Sequence, residues 1–333
     1  MTAAAGRPRV VVAVLGPTAS GKSALGLRLA LRFGGEVVAC DSTAVYRGFD
    51  IGTDKVATAE QQGIPHHLVD VVDGAAEYTA ADYARDAMTA IADIRARGRL
   101  PILVGGTGFY YRALVRGLFP GPGKDEGVRG RLDHLVARHG VARVHRVLAR
   151  VDPPSAARIQ VNDAMRVVRA LEVYFVSGRT LTAHFAQTRA PLAGWQVIAI
   201  GVRPPWEEIT ARIAQRVDLQ FARGIVDEVR ALRASGVPDS ARPFTGYVYK
   251  RVREVVEDAR DERSARALIV RENRRYARRQ LIWFRKEPNL VWIQRAGERD
   301  DSFRDAERLI LERLASIPPC GPTPETPTHV PDA

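Results

Sequence analysis

The sequence predicts an α/β fold in which a parallel sheet is flanked by helices and a helical insertion interrupts the core. Two observations point to the sheet. Short apolar runs rich in β-branched residues alternate with segments of helical periodicity, and several of the runs end in Gly, Asp or Ser. A third observation points to the insertion, because residues 126–187 show helical patterns and no convincing strand. With 333 residues, the chain is long enough for one elaborated domain or two.

The first apolar run, residues 10–15, leads into a glycine-rich stretch, and an amphipathic helix follows over residues 24–33. A strand, the pattern G-x-x-x-x-G-K-[ST] and a helix, in that order, predict a phosphate-binding loop and a core like that of the P-loop NTPases. Glycines let backbone N–H groups surround an anion, and the helix N-terminus adds partial positive charge. The predicted diphosphate-binding residues are Gly16, Thr18, Ala19, Ser20, Gly21, Lys22 and Ser23.

Two side chains of this loop have specific roles in such a site. Lys22 would reach the terminal phosphate oxygens, and the Ser23 hydroxyl would bind Mg²⁺. The loop alone does not say which compound carries the phosphates.

The remaining elements follow from the same patterns. Further strands are predicted over residues 36–40, 67–72, 100–104, 195–202 and 291–293. Further helices are predicted over residues 79–97, 204–223, 227–235, 249–258, 262–286 and 302–315. The core is therefore expected to comprise residues 8–118 and 195–316, with a helical insertion over 119–194 and a disordered tail over 317–333.

The charge balance favours a polyanionic partner. Lys and Arg total 50 against 38 Asp and Glu, which gives a formal net charge of +12. The two cysteines have no paired spacing, so the sequence predicts a reduced, cytoplasmic setting rather than a disulfide framework. No apolar run is long enough to span a bilayer, and we expect no membrane partner.

Polar residues follow two of the predicted strands at the edge where an open parallel sheet binds its ligand. Asp41 follows the strand at 36–40, where it would hold Mg²⁺ through water, accept a proton from a nucleophile or cap a turn. Thr107 follows the strand at 100–104, where it would bind a phosphate oxygen or serve as a turn residue.

Arg216 flanks the apolar stripe of the predicted helix at 204–223. In that position it would either neutralise a leaving pyrophosphate in the crevice or form a structural ion pair. The adjacent His66 and His67 lack acidic or cysteine partners at ligand spacing, which favours a structural role over a metal site.

The segment 271–286 combines many arginines with aromatic residues on one predicted helix. Phosphate contacts together with stacking surfaces are typical of single-stranded nucleic-acid binding. A solvated basic face is the alternative. With the overall positive charge, the segment favours nucleic acid, and Arg166 and Arg169 in the insertion add a second basic surface.

Taken together, the motifs resemble those of the tRNA dimethylallyltransferases, the prenyltransferases that modify an adenosine beside the anticodon. The resemblance covers residues 10–295. It rests on residues 16–23, Asp41-Ser42, Val45-Tyr46-Arg47-Gly48, Asp50-Ile51-Gly52-Thr53, Pro65-His66-His67-Leu68, Gly105-Gly106-Thr107, Asn162-Asp163, Arg166, Arg169-Ala170-Leu171-Glu172-Val173, Arg275-Tyr276-Ala277 and Arg279-Gln280.

The resemblance implies dimethylallyl diphosphate as donor, Mg²⁺ as cofactor and the tRNA anticodon stem-loop as acceptor. We expect the chain to act as a monomer. Asp41 would take the N6 proton of adenine, and Lys22, Thr107, Arg216 and Ser23 with Mg²⁺ would stabilise the departing pyrophosphate. The implied tRNA contacts are Asp41, Ser42, Thr43, Ala44, Thr107, Arg129, Met165, Arg166, Val167, Val168, Arg169, Phe244, Gly246, Tyr247, Arg278 and Arg279.

The sequence departs from the family pattern at Ala44, at residues 244–249, at Asn273 and at Ile282. Because the phosphate and base-activation residues are intact, these departures concern tRNA recognition. Three alternatives remain open: a P-loop small-molecule kinase, a divergent RNA-binding relative with an altered acceptor, and a relative that prenylates free adenine nucleotides.

Overall fold

The computed structural model describes residues 9–317, and the chain divides into two compact units. One unit combines the described residues up to Tyr111 with those from Gly194 onward, and the other comprises Arg112–Ala193. The tail predicted over 317–333 lies outside the described residues, apart from residue 317 itself.

A six-stranded, wholly parallel sheet forms the centre of the first unit, as the sequence predicted. Its order is β3-β2-β4-β1-β5-β6. Every residue of β1 is buried, which explains its run of β-branched and leucine residues. The strands are β1 (Val10–Leu15), β2 (Gly35–Cys40), β3 (His66–His67), β4 (Leu100–Gly105), β5 (Gln196–Val202) and β6 (Leu290–Ile293).

The third strand is far shorter than predicted. The expectation of a strand over residues 67–72 is wrong, because pairing with β2 covers only His66 and His67. Leu68 and Asp70 then adopt positive φ angles of 61° and 55°, which no extended strand tolerates. The apolar residues beyond β3 instead form a turn that contacts the Asp41 region, with Asp70 donating its N–H to the carbonyl of Ala44.

Helices account for most of the remaining described chain. The bounds predicted for the helices of the first unit agree with the structure to within two residues. The helices are α1 (Lys22–Phe33), α2 (Ala80–Ala96), α3 (Gly108–Arg116), α4 (Glu126–His139), α5 (Val141–Val151), α6 (Pro153–Arg158), α7 (Ala164–Ser177), α8 (Leu181–Phe185), α9 (Trp206–Ala222), α10 (Ile225–Ala234), α11 (Tyr247–Val256), α12 (Glu262–Phe284) and α13 (Asp300–Ala315).

Helix α3 was not predicted, because glycines are poor helix formers and two of them, Gly105 and Gly106, precede the helix while Gly108 is its first residue. None of the helices in the described chain has an apolar stretch long enough to cross a membrane.

The second unit is helical throughout its described elements. Helices α4 to α8 pack around an apolar core to which Leu148 and Leu171, both fully buried, contribute. One charged side chain, Glu172 of α7, is fully buried in this unit. A buried carboxylate requires partners, and its partners bear on the predicted RNA contacts described below.

Candidate active site

The phosphate-binding loop joins β1 to α1 and has the backbone conformation that anion binding requires. Ala19 and Gly21 adopt positive φ angles of 62° and 83°, whereas Ser20 between them does not. Such an arrangement turns successive N–H groups toward one point. The N–H groups of Gly21, Lys22 and Ser23 have no hydrogen-bond partner among the described residues, so they are free for an anion.

Lys22 begins α1 beside this loop, and its ammonium group is poorly solvated. Burial, together with the nearby positive charge of Arg216, lowers the pKa of Lys22 to about 8. Within residues 9–317, its Nζ donates only to the carbonyl oxygen of Pro17, at 3.3 Å. A bound anion would restore the pKa, because it replaces the missing water and offsets the neighbouring charge.

The pKa of Lys22 predicts how diphosphate binding depends on pH. Above pH 8, a growing fraction of the free protein carries neutral Lys22, so binding must take up a proton. The affinity for inorganic pyrophosphate, relative to that of a Lys22→Ala variant, is expected to fall by up to about tenfold per pH unit above pH 8. Titration calorimetry from pH 6 to about 10 measures both affinities, and the ratio cancels the titration of the ligand itself. A ratio independent of pH would contradict this assignment.

Arg216 of α9 faces the same loop. Its Nη1 donates to Thr18 Oγ1 at 2.8 Å, and its Nε lies 3.0 Å from Asp54 Oδ2. The structural ion pair expected as one alternative is present, and the side chain also lines the cavity, so a role toward pyrophosphate stays a prediction. The ion pair fixes the guanidinium while leaving donors that can face a phosphate.

Asp41 follows β2 and shapes the turn that comes after it. Its Oδ1 accepts hydrogen bonds from Thr43 N at 2.8 Å, Thr43 Oγ1 at 2.7 Å and Ala44 N at 3.3 Å. Oδ2 has no hydrogen-bond partner among residues 9–317. One oxygen thus caps the turn and locks the carboxylate in place, and the second remains free to accept a proton or a bond from a ligand.

Thr107 lies between β4 and α3, next to the Asp41 turn. Its Oγ1 accepts the Ser42 N–H at 3.0 Å, and its own N–H donates to the carbonyl of Cys40 at 3.1 Å. Tyr276 of α12 approaches the same hydroxyl. Burial raises the pKa of Tyr276, the negative charge of Asp41 raises it further, and a hydrogen bond with Thr107 opposes both. Thr107 therefore ties two strand ends and a tyrosine together.

One cavity of about 320 Å³ in the first unit is lined by the loop residues, Asp41, Arg216 and Tyr276, and Thr107 lies behind this lining. This volume is typical of a small-molecule site. Its lining combines the charged groups of Lys22, Asp41 and Arg216 with apolar side chains contributed mainly by the sheet and the segment after it: Val37, Ala39, Val56, Val69 and Val104. A ligand with an anionic end and a short hydrocarbon part would match this lining.

Six of the residues predicted to contact RNA also line this cavity: Asp41, Ser42, Thr43, Ala44, Gly246 and Tyr247. Phe244 does not, and the expectation that its side chain contacts RNA is wrong. Its ring is 1% exposed and packs edge-on against Phe49 and Tyr249, at centroid distances of 5.1 and 6.2 Å. This aromatic cluster holds the segment before α11 in place.

Arg278 and Arg279, both predicted to contact tRNA, lie in different surroundings on α12. Arg279 donates to the Tyr247 hydroxyl at 2.6 Å and lies over the rings of Tyr247 and Tyr276. Arg278 instead lies over Trp206, 4.8 Å from its ring centroid. Arg279 is therefore associated with cavity residues, whereas Arg278 belongs to another face of the helix.

Comparison with known proteins identifies the family. A family model described as IPP transferase matches residues 44–287. The chain belongs to the IPP transferase family. A tRNA dimethylallyltransferase of Solibacter usitatus is 47% identical over 287 residues, covering 86% of this chain and 93% of the relative. One of Geobacter metallireducens is 42% identical over 290 residues, covering 87% and 94%.

Solved structures agree with this membership. The full-length tRNA isopentenylpyrophosphate transferase of Bacillus halodurans superposes with a TM-score of 0.69 at 34% identity, covering 92% of this chain and 97% of that structure. A eukaryotic dimethylallyltransferase gives a TM-score of 0.73 at 24% identity, covering 93% and 81%, and supports the fold. The resemblance drawn from the ordered motifs is confirmed, as is the assignment to a transferase family. The kinase alternative is not favoured.

Within the helical unit of this family member, the residues predicted to contact RNA divide by burial. Met165 is 79% exposed and Arg166 is also exposed at the start of α7. The expectation is wrong for the side chains of Val167 and Val168, which are 0% and 4% exposed in the core of the unit. Consecutive residues on a helix point about 100° apart, so a continuous stretch cannot face one partner.

Arg129 and Arg169 form ion pairs with a buried glutamate inside this unit. Both donate to Glu172 Oε2, at 2.8 and 2.7 Å, and Arg169 also donates to the carbonyls of Pro122 and Gly123. Burial alone would raise the pKa of Glu172, but the hydrogen bonds from the two arginines outweigh it and lower the pKa to about 2. Much of the charge of both arginines is therefore neutralised by the protein itself.

This arrangement predicts a stability role for Arg169. Arg169→Gln is expected to lower the free energy of unfolding by about 1.5–3 kcal/mol, because hydrogen bonds to a buried carboxylate are lost. Arg166→Gln is the matched control, since its ion pair with Asp163 is at the surface and contributes at most about 0.5 kcal/mol. Urea unfolding of the full chain measures both, and equal losses would refute the structural role.

Gln280, named from the sequence only within the Arg279-Gln280 motif and without a role, is a buried polar residue at the centre of the site. Its Oε1 accepts the Thr18 N–H at 2.9 Å, and its Nε2 donates to the carbonyl of Gly106 at 2.9 Å. Gln280 thus joins the phosphate-binding loop to the end of β4. Its signal was the polar spacing of Asn273, Tyr276 and Gln280 on one face of α12, which all line the cavity.

The two adjacent histidines are held by the protein. His67 Nε2 lies 2.7 Å from Glu36 Oε2, and His66 Nδ1 lies 2.9 Å from the Ile64 carbonyl oxygen. Burial lowers the pKa of His66. Within residues 9–317, no group of three or more His, Cys, Asp or Glu side chains is arranged to hold a metal ion.

Proposed function

We propose that this protein transfers the dimethylallyl group of dimethylallyl diphosphate to N6 of the adenosine beside the tRNA anticodon and releases diphosphate. One observation carries the proposal: a phosphate-binding loop and a fixed carboxylate with a free oxygen face the same cavity. The names of the relatives support the same reaction.

The donor would bind with its diphosphate on the phosphate-binding loop. Free N–H groups of Gly21 to Ser23 would surround the terminal phosphate, and Lys22 and Arg216 would add positive charge. When the bond between the allylic carbon and the diphosphate oxygen breaks, negative charge accumulates on the leaving group. Groups already fixed around it, such as Arg216 held by Asp54, stabilise that charge without reorganising.

The acceptor amine requires a base. The N6 lone pair of adenine is delocalised into the ring, so its attack on the allylic carbon must be accompanied by loss of a proton. The free Oδ2 of Asp41 would accept this proton while Oδ1 stays bonded to the turn. The N6–carbon bond forms, the carbon–oxygen bond breaks, and the proton passes to Asp41. Thr107 would hold the two strand ends at the spacing that this transfer requires.

The residues present fit a bound Mg²⁺. The Ser23 hydroxyl lines the cavity and has no hydrogen-bond partner in the described chain. Magnesium commonly takes one or two protein oxygens and completes its shell with substrate phosphates and water. When bound, the ion would neutralise charge on the diphosphate. Ser23 is the residue proposed to hold it.

The RNA partner would be the anticodon stem-loop. To reach the cavity, the target base must leave its stack, as in other base-modifying enzymes. The cavity residues Ser42, Thr43, Ala44, Gly246 and Tyr247 are the proposed contacts near the base, with Met165 and Arg166 contributing from the helical unit. We propose that the protein acts as a monomer in the cytoplasm.

A competition assay tests the proposal. Radiolabelled dimethylallyl diphosphate is supplied with tRNA, AMP and ATP together, and label is measured in each. We expect label in tRNA, at N6 of the adenosine beside the anticodon. Label in AMP or ATP alone would instead identify an enzyme acting on free nucleotides. Release of diphosphate without a labelled acceptor would leave transfer to RNA unsupported.

A further inference from the structure

The turn between β6 and α13 packs directly against the phosphate-binding loop. Within this turn, residues 296–298 approach the loop, and Ala296 and Gly297 are buried. Gly297 donates its N–H to the carbonyl oxygen of Ser20 at 2.9 Å. Although residues 296–298 all belong to the described chain, none of them lines the cavity. The turn therefore contacts the loop from outside the site.

The hydrogen bond from Gly297 acts on the peptide unit that joins Ser20 to Gly21. A trans peptide is planar, and its C=O and N–H groups point in opposite directions. Because the Ser20 oxygen is held toward the turn, the N–H of Gly21 points away from it. A hydrogen bond to the oxygen also polarises the peptide unit and strengthens its N–H as a donor. This N–H is one of the three loop donors without a partner among residues 9–317.

The turn and the loop are too close for either glycine to carry a side chain. A Cβ at Gly297 would overlap the carbonyl oxygen of Gly21, and a Cβ at Gly21 would lie 2.7 Å from the nitrogen of Gly297. The Gly21 oxygen accepts the N–H of Leu25 in the first turn of α1, so it cannot move without disturbing that turn. The φ angle of Gly297 is not positive. The close approach, rather than the backbone conformation, therefore requires glycine at position 297.

Glu298 anchors this turn to two helices. Its carboxylate pairs with Arg212 of α9, and its carbonyl oxygen accepts a hydrogen bond from Arg28 Nη1 of α1 at 2.9 Å. The carboxylate oxygen Oε2 packs against Gly21, in the space that a side chain there would occupy. A negative charge beside an anion-binding loop opposes the anion through space. The position of Glu298 is therefore explained by its anchoring contacts and not by attraction for the ligand.

We propose that Gly297 and Glu298 are positioning residues for the diphosphate. Gly297 orients the N–H of Gly21 toward the anion, and Glu298 holds Gly297 in place through its two arginine partners. Neither residue touches the substrate. Since the N–H is oriented before the carbon–oxygen bond breaks, the charge that develops on the leaving group meets a donor already in place. That the anion is the diphosphate of the donor rests on the proposed function.

The first test replaces Gly297 by Ala in the full chain. The added methyl group must displace the turn or the loop. We expect the affinity for inorganic pyrophosphate to fall about tenfold, the size expected for losing one aligned hydrogen bond to a charged group. Gly130→Ala is the matched control, because a Cβ at Gly130 of α4 meets no described atom within 4 Å. Titration calorimetry measures both affinities, and circular dichroism should match wild type in both variants.

A second set of variants separates position from charge without altering the backbone. Glu298→Ala removes the anchor and the negative charge together, whereas Glu298→Gln keeps an acceptor for Arg212 and removes only the charge. If Glu298 acts by position, Ala weakens pyrophosphate binding about three- to tenfold and Gln restores most of the affinity. If only its charge matters, both variants bind pyrophosphate more tightly than wild type. Glu307→Ala is the control, since Glu307 pairs with Arg32 at the far end of α1.

Each outcome bears on one claim. Normal or tighter pyrophosphate binding would overturn the role of Gly297 in Gly297→Ala, and that of Glu298 in Glu298→Ala. If Gly297→Ala does not fold, the Glu298 series decides. Weaker binding in both variants, with no transfer of a dimethylallyl group to tRNA by the wild type, would support the inference and refute the proposed reaction. Transfer by the wild type together with normal pyrophosphate affinity in both variants would refute the inference alone.

Discussion

Replacing Asp41 by Asn is expected to slow dimethylallyl transfer about 10²- to 10⁴-fold, while tRNA and donor still bind. The amide keeps the size of the carboxylate and can still cap the turn through its oxygen, where Oδ1 now accepts three hydrogen bonds. It cannot accept the N6 proton. Single-turnover rates with both substrates saturating measure the chemical step separately from binding.

A second role for Asp41 predicts a different pattern. If Asp41 holds Mg²⁺ through water, Asp41→Asn weakens donor affinity as well, and raising Mg²⁺ restores part of the rate. Measuring donor affinity, tRNA affinity and rate at two Mg²⁺ concentrations separates these roles. Asp73→Asn is a matched control, because Asp73 is 81% exposed and pairs with Arg47 at the surface. A near-normal rate for Asp41→Asn at both concentrations would contradict both the base and the Mg²⁺ role, and would leave Asp41 with only its structural role in capping the turn.

Replacing Lys22 by Ala is expected to reduce donor turnover about 10²- to 10³-fold, the range found when one preorganised charge partner of a transition state is removed. The ammonium group sits in a desolvated position beside Arg216, where its attraction for an anion is poorly screened. Donor affinity should fall together with the rate, because diphosphate is present both before and after the bond breaks.

Two comparisons test this interpretation. Ser23→Ala should also weaken turnover, and its defect should depend on Mg²⁺ concentration. Lys250→Ala removes an exposed lysine on α11 and should leave steady-state kinetics unchanged. Thermal unfolding of the Lys22 and Ser23 variants should resemble wild type, since both side chains serve the ligand rather than the core. Normal kinetics in both variants would refute the phosphate-loop assignment.

The phosphate-binding loop and the sheet could be predicted because their signals are local. A β-branched run, a glycine pattern and an amphipathic helix lie within about two dozen residues and define their own geometry. The same logic failed for residues 67–72, where the apolar composition resembled a strand but positive φ angles at Leu68 and Asp70 end the pairing.

Long-range contacts explain most of what the sequence did not reveal. Gln280 bonds to Thr18 across 262 positions of the chain, and no local pattern indicates such a pair. The roles of Arg129 and Arg169 likewise depend on Glu172 being buried, which is a property of the packed helices. Residues 165–169 were assigned to RNA contact as one continuous stretch because they match a family motif. On a helix, however, consecutive side chains point in different directions, so the stretch contains both exposed and core positions.

Helix α12 contributes to the lining of the cavity and also to the protein surface. It is continuous from Glu262 to Phe284, and a helix without a kink moves as one rigid rod. On one side of this helix, Gln280 forms hydrogen bonds with the backbone of Thr18 and Gly106. On another side, Arg278 lies over Trp206. A displacement of α12 would therefore also change the contact that Gln280 makes with the phosphate-binding loop at Thr18. The same helix, α12, thus lines the cavity and contacts the phosphate-binding loop.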